Sequence, residues 1–322
     1  MGDADNVILN GNHMAGGVYG IDAEDGADNL LAEANIIGAN RAGTAVIDST
    51  SGSSINVDSS SAGGADIINN TIAVEGAVDP MTVVGDGAEI ASNHIGLGSL
   101  AGSGGNLGMN VSGSNHLIQG NTVGNSGIGI FAEELTGAEI KDNVLGELGP
   151  LGGSGILIDE ALGASTGNAI GSNDPALANE FGDIGDSAIT IIGDGNDGNQ
   201  ILANLGGPGN GPFVDLGADG PGNGVDGPNN GVAAPKVKEI TAKAISDTAG
   251  ANGQMRVYRS GSPKGDFPAE LKKLIGTKVV KPDGTWKLKP AGGVKKKWVV
   301  TANQTDGAGN GSELSKGKRR RS

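Results

Sequence analysis

Glu89-Ile90-Ala91-Ser92-Asn93-His94-Ile95-Gly96 carries a pattern that fills the first two-thirds of the chain: a short apolar run, an asparagine, and an apolar residue two places after it. The same Asn-x-apolar unit starts at Asn12, Asn35, Asn70, Asn93, Asn121, Asn143 and Asn168, with a degenerate eighth at Asn204. Successive asparagines lie 23, 35, 23, 28, 22, 25 and 36 residues apart. A period of this length marks a stack of small supersecondary units. No helical periodicity accompanies it, and glycines interrupt the apolar runs, as tight turns between short strands require.

Each unit continues in the same way. A variable Gly/Ser loop leads to a second run that ends in an acid or glycine, as in Gly20-Ile21-Asp22, Val46-Ile47-Asp48, Ile130-Phe131-Ala132-Glu133, Ile156-Leu157-Ile158-Asp159 and Ile191-Ile192-Gly193-Asp194. Strands of this length are too short to form hairpins within one repeat, but stacked on their equivalents they form long parallel sheets. Two or three short strands per turn is the arrangement of a parallel β-helix. Side chains alternate along a strand, so the asparagine and the apolar residue two later both face inward. A carboxamide buried in every rung can bond its own turn and the carboxamides above and below, satisfying groups that would otherwise cost about 1–3 kcal/mol each. The ladder asparagines are therefore read as structural. Eight rungs give a rod of about 40 Å. The two long spacings are expected to hold insertions or an atypical rung near residues 49–62 and 175–186.

Composition narrows the class. The 322 residues include 61 Gly, 12 Pro and no Cys, and aromatics make up 2%. Without cysteine there are no disulfides or thiolate metal sites. A core made of Ile, Val, Leu and Ala suits a narrow, layered interior. No apolar stretch approaches the roughly 20 residues of a membrane-spanning helix. The opening Met-Gly-Asp-Ala-Asp-Asn is not a signal peptide. A solenoid needs covered ends, so further sequence upstream is expected, and the chain reads as a fragment or as one with a late start. Charge divides the chain: residues 1–235 hold 30 acidic and two basic residues, a net of −28, whereas residues 236–322 hold 20 basic and seven acidic, a net of +13. The expected domains are a β-helix over 1–216, a Gly/Pro/Asn-rich linker over 217–235, a small β-sandwich over 236–316 and a disordered basic tail over 317–322.

The Asn-x-Ile-Gly and Gly-Ile-x-Ile-Asp elements over residues 5 to about 216 resemble secreted bacterial right-handed parallel β-helix proteins of the pectin-lyase-like superfold. Val214-Asp215-Leu216-Gly217-Ala218-Asp219-Gly220, followed by Asp226-Gly227-Pro228-Asn229-Asn230-Gly231 and a Pro-led strand, resembles the junction in large bacterial surface proteins where a β-helix passes into a small sandwich. Residues 255–259, 272–280, 286–289 and 298–302 read as strands, with Asp283-Gly284 as a hairpin signal between the middle two. The ending Asp306-Gly307-Ala308-Gly309-Asn310-Gly311-Ser312-Glu313 resembles the closing strand and turn of an immunoglobulin-like module.

These resemblances imply a fold and leave the reaction open. Lyases of this superfamily hold an acidic calcium site and a basic residue on one outer sheet. Here the repeat region offers only Arg41 and Lys141, far apart and in no lyase motif, and the hydrolase pattern of clustered aspartates with His and Arg-x-Lys has no counterpart. Sugar platforms are sparse, with Tyr19, Phe131, Phe181 and Phe213 the only aromatics before residue 236, and a net −28 repels uronate polymers. His13 and His94 follow ladder asparagines on separate rungs, and His116 stands in another register. Gly193-Asp194-Gly195-Asn196-Asp197-Gly198 is read as a turn. The acids ending the second runs, Asp22, Asp48, Glu133, Asp159 and Asp194, are expected to stack near one corner. Carboxylates at rung spacing repel by about 0.9 kcal/mol in water. Oxygen-rich loops suit Ca²⁺, the one ion implied, with no cofactor required; the alternative is a solvated acidic edge. Lys295-Lys296-Lys297 and the run from Lys316 to Arg321 come with no nucleic-acid motif, so nucleic acid is not an expected partner.

The expectation is a secreted or surface-displayed bacterial protein that is structural and adhesive rather than enzymatic, with an extracellular polysaccharide or protein as partner. The alternatives are a carbohydrate-binding or polysaccharide-active protein, lyase-like or hydrolase-like, and a self-associating filament subunit.

Overall fold

The computed structural model describes residues 6–24, 29–43, 46, 53–58, 64–73, 79–97, 107–207, 209–220, 227–261 and 270–320. Three sheets dominate, each with eight parallel strands that the chain visits in rotation. One turn runs from Glu89–Ala91 in the first sheet to His94–Leu97 in the second and Leu107–Ser114 in the third, then returns to Leu117–Gln119 in the first. The path is compatible with a parallel β-helix. No helix among the described residues is long and apolar enough to cross a membrane.

The register explains the sequence pattern. Across the first sheet Ile67, Ile90, Ile118 and Ile140 pair in line and all face the core. Ile37, Ile72, Ile95, Val123 and Leu145 do the same in the second sheet. The third sheet sends in two residues per strand, such as Met109 and Val111 opposite Ile130 and Ala132. Burial of each large aliphatic side chain contributes about 1.5–3 kcal/mol, and the stack joins these rows into one continuous apolar core.

Glycines let the rungs close. Gly96 has φ +92°, and a Cβ there would stand 1.8 Å from the Gly124 carbonyl oxygen of the next rung. The last glycine of Asn-x-Ile-Gly is thus fixed by backbone approach as well as by turn conformation.

The C-terminal part contains two antiparallel sheets. Gln254–Ser260 lies between Leu271–Val279 and Val299–Thr305, while Ile245–Thr248 pairs with Glu239–Ile240 and Thr285–Leu288. Met255, Val257, Trp286, Leu288 and Val300 belong to a second core formed by residues of both sheets. Asp283-Gly284 makes a tight turn, with Gly284 donating to the Lys281 carbonyl at 2.9 Å. The flanking strands nevertheless enter different sheets, so the expected hairpin is a corner. Within the expected tail, Lys318–Arg319 forms a strand against Val299 and Val300, and Arg320 Nη1 donates to the Val294 carbonyl at 2.6 Å.

This part continues the second sheet of the solenoid through the antiparallel pair Gly206–Leu271. Tyr258, Leu271 and Leu314 enter the solenoid core. Tyr258 Oη donates to the Leu202 carbonyl at 3.0 Å and Asn303 Nδ2 to the Ile201 carbonyl at 2.9 Å. Backbone groups that a last rung would leave open are therefore bonded.

Candidate functional site

One line of asparagines occupies the turn between the first and second sheets. Asn93 donates from its backbone N and its Nδ2 to Asn121 Oδ1, at 3.0 and 2.9 Å, and a further Nδ2 bond reaches the Ile67 carbonyl of the preceding rung at 2.7 Å. Asn121 repeats this toward Asn143 and Ile90. The line begins at Asn12, which is exposed, and passes through Asn35 and Asn70, which are buried. After Asn143 it turns to Asn179 and then Asn204.

Asn168, expected next after Asn143, stands elsewhere. It begins a second line at the turn between the third and first sheets, bonding Asn199 Oδ1 through Nδ2 at 2.8 Å. Asn199 donates its backbone N to Asn229 Oδ1, and Asn229 Nδ2 reaches the Gly311 carbonyl. The difference has a local cause. Asn168-Ala169-Ile170 leads into a first-sheet strand, and an eight-residue loop containing a 3-10 turn, Pro175–Leu177, separates it from the second-sheet strand Asn179–Phe181. Asn179 and Asn199 both precede an apolar residue by two places, so the signal was present in the sequence.

His116 occupies the same slot as Asn168, two rungs earlier, and behaves as an imidazole version of it. Its Nδ1 accepts from Ala88 N at 2.9 Å and its Nε2 meets the Ser112 carbonyl at 3.1 Å, which fixes the neutral Nε2–H form. Burial pushes its pKa below the ordinary 6.5, outweighing the hydrogen bonds to backbone and nearby Asp86. The neutral ring's contribution is therefore complete above about pH 6.5 and falls as the pH drops through the interval down to the folded-state value. Denaturant midpoints should fall between pH 7.5 and 5 with a His116-linked component of at most about 1.4 kcal/mol per pH unit. His116→Asn should remove that component, and an unchanged pH profile would contradict this role.

Of the five acids, the four among the described residues form no single group, although Glu133 and Asp159 are neighbours. Asp22 aligns with Asn56, which donates to it at 2.9 Å, and with Phe131 three strands further on. Glu133 lies two positions later on its strand, next to Asp159, and its carboxyl is pushed up by burial first and then by Asp159 and Glu134. Asp194 is exposed in the turn after the next strand, and Asp48 lies outside the described residues. Among the described residues no three His, Cys, Asp or Glu side chains are grouped to hold a metal ion.

Arg41 follows a second-sheet strand, whereas Lys141 ends a first-sheet strand and pairs with Glu139. His13 Nε2 meets the Ala39 carbonyl at 2.6 Å, and the His94 side chain is exposed. The other ion pair between described residues is Lys272–Glu270, within the C-terminal part. On the outer face of the three-stranded sheet, Lys238, Lys281, Lys287 and Asp247 line a cleft of about 390 Å³.

A second cavity, about 300 Å³, lies on the outer face of the third sheet. Gly127, Gly153, Ser154, Leu157, Asp186 and Thr190 are among its walls. Compared with known proteins, the chain matches no family model and no curated protein. The functional reading therefore rests on its own residues.

Proposed function

We propose that this is a non-catalytic extracellular or cell-surface protein, a right-handed parallel β-helix of the pectin-lyase-like kind serving as a rigid stalk or adhesive surface. Its C-terminal part, read as an immunoglobulin-like sandwich, connects or anchors it. The observation that carries the reading is the unbroken carboxamide line from Asn12 to Asn204 along one core, which passes at its end into the C-terminal sheets. Such a stack holds its two ends at a fixed separation, as a spacer must.

The enzymatic alternative makes a different demand. A lyase needs a base beside a cation-bridged uronate, but Lys141 is held by Glu139 and Arg41 lies in the turn after a strand of a different sheet. Incubation of the full chain with pectate or alginate over a range of pH, with or without calcium, should yield no unsaturated product by absorbance. Turnover that Arg41→Ala or Lys141→Ala abolishes would refute the stalk reading and place a catalytic site on the solenoid.

A further inference from the structure

The C-terminal part carries charge opposite to that of the solenoid, a net +13 against −28. Its three-stranded sheet sends Ile245, Trp286 and Leu288 into the second core and no residue into the solenoid core. Lys287, between Trp286 and Leu288, therefore faces away from that core, because side chains alternate along a strand. Lys238, Lys281 and Lys287 line the cleft of about 390 Å³, and all three are exposed. Thr248 and Thr285 bring hydroxyls to the same walls. The cleft also holds Glu239 and Asp247, yet neither ion pair between described residues involves its lysines.

The tail enlarges this surface. Lys318 Nζ donates to the Lys238 carbonyl at 2.7 Å and ties the tail strand to the cleft. Arg320 donates its backbone N to the Trp298 carbonyl at 3.2 Å and Nη1 to the Val294 carbonyl, spanning the turn that holds Lys295–Lys297. Cleft, tail strand and lysine turn are thus joined by direct hydrogen bonds. No acid occurs from Trp286 to Thr305 or from Leu314 to Ser322, so the tail and the turn add cations alone.

The donor chemistry narrows the partner. A lysine ammonium is a hydrated point charge without the planar fork of arginine, so this surface reads charge density rather than the shape of one oxyanion. Base stacking needs open aromatic faces, but Tyr258 and Trp286 are buried and Arg259 lies over the Trp298 ring at 5.8 Å. A second copy of the chain would set a net −15 against −15. A flexible polyanion avoids that opposition, because it can settle on this face without lying along the solenoid.

We infer that the lysine cleft and the adjoining tail form a binding surface for an anionic polysaccharide. Its carboxylate or sulfate groups accept from Lys238, Lys281 and Lys287, and its hydroxyls meet Thr248 and Thr285. The inference rests on the anchoring role proposed above for the C-terminal part and names the class of polymer held there.

Titration calorimetry of the full chain in the presence of chelator tests this, with dextran sulfate and alginate as probes and neutral dextran as the uncharged counterpart. Expected are saturable binding of a charged polymer and none of dextran. Affinity should fall at least about tenfold between roughly 50 and 200 mM salt, as counterion release at about three contacts requires. Joint replacement Lys238→Gln, Lys281→Gln and Lys287→Gln should cost at least a tenfold loss. The same charge change at the exposed Lys272, Lys273 and Lys278 of the other sheet should cost far less. If the cleft triple does not fold, Lys281→Gln or Lys287→Gln alone should weaken binding several-fold. Binding of dextran sulfate alone would assign sulfate, and binding of alginate alone would assign carboxylate. Cleavage of bound alginate would refute the stalk reading and leave this surface standing. No saturable binding, equal losses in the two triples, tighter binding of a single-stranded oligonucleotide of equal charge, or self-association that the cleft triple abolishes would overturn the inference.

Discussion

Replacing Asn121 by leucine is expected to destabilise the protein by about 2–6 kcal/mol. The carboxamide accepts from both Asn93 N and Asn93 Nδ2 and donates to Ile90 O and Asn143 Oδ1, with every ladder member here fully buried. Leucine would leave two buried donors of Asn93 without an acceptor, and each such group costs about 1–3 kcal/mol. The branched side chain would also enter a row already packed to interior density. Asn12→Leu is the internal control: Asn12 donates to Asn35 but is itself exposed, so its loss should stay near 0.5 kcal/mol. Equilibrium denaturation with an unchanged m-value measures both. Equal costs at the two positions would mean that the ladder is not the source of stability.

Gly96→Ala should have an effect of similar size by a different route. The left-handed conformation at φ +92° penalises any Cβ by about 1–2 kcal/mol. The approach of 1.8 Å to the Gly124 oxygen forces backbone rather than a flexible side chain to move, adding about 1–3 kcal/mol. Gly11 separates the two contributions, because its φ is +68° but no atom lies within 4 Å of a Cβ placed there. Gly11→Ala should therefore show the conformational cost alone. Similar midpoints for the two variants would show that the rungs can part without penalty.

The long-range order was legible wherever one chemical need recurred in one place. Asn70, Asn93, Asn121 and Asn143 each sit between two strands that differ in direction by one corner, and only a carboxamide bonds three rungs at once there. The same grammar misled at Asn168. Entry into a first-sheet strand and entry into a second-sheet strand both read as Asn-x-apolar, and sequence spacing does not say which corner is being turned. His116 was hidden because an imidazole fills the slot with the same accept-and-donate geometry.

Phase within a strand was the other obstacle. Asp22 and Glu133 both follow an apolar run, yet they stand two residues out of step once Ile21 is aligned through Ile55, Met81 and Met109 with Ile130. The outward cavity left no periodic trace at all.

The hydrogen bonds that join successive rungs run parallel to the long axis, in all three sheets and in the carboxamide line alike. A pull applied between the ends of the solenoid loads them in series, and no covalent link shortcuts the path, since the chain contains no cysteine. Each rung that yields releases the 22 to 36 residues between successive ladder asparagines, roughly 75–120 Å of slack at about 3.4 Å per residue. Its neighbours keep their own contacts while it does so. Under tension the protein is a sequence of small, repeatable fuses: it spends mechanical work one coil at a time instead of failing as a single cooperative body.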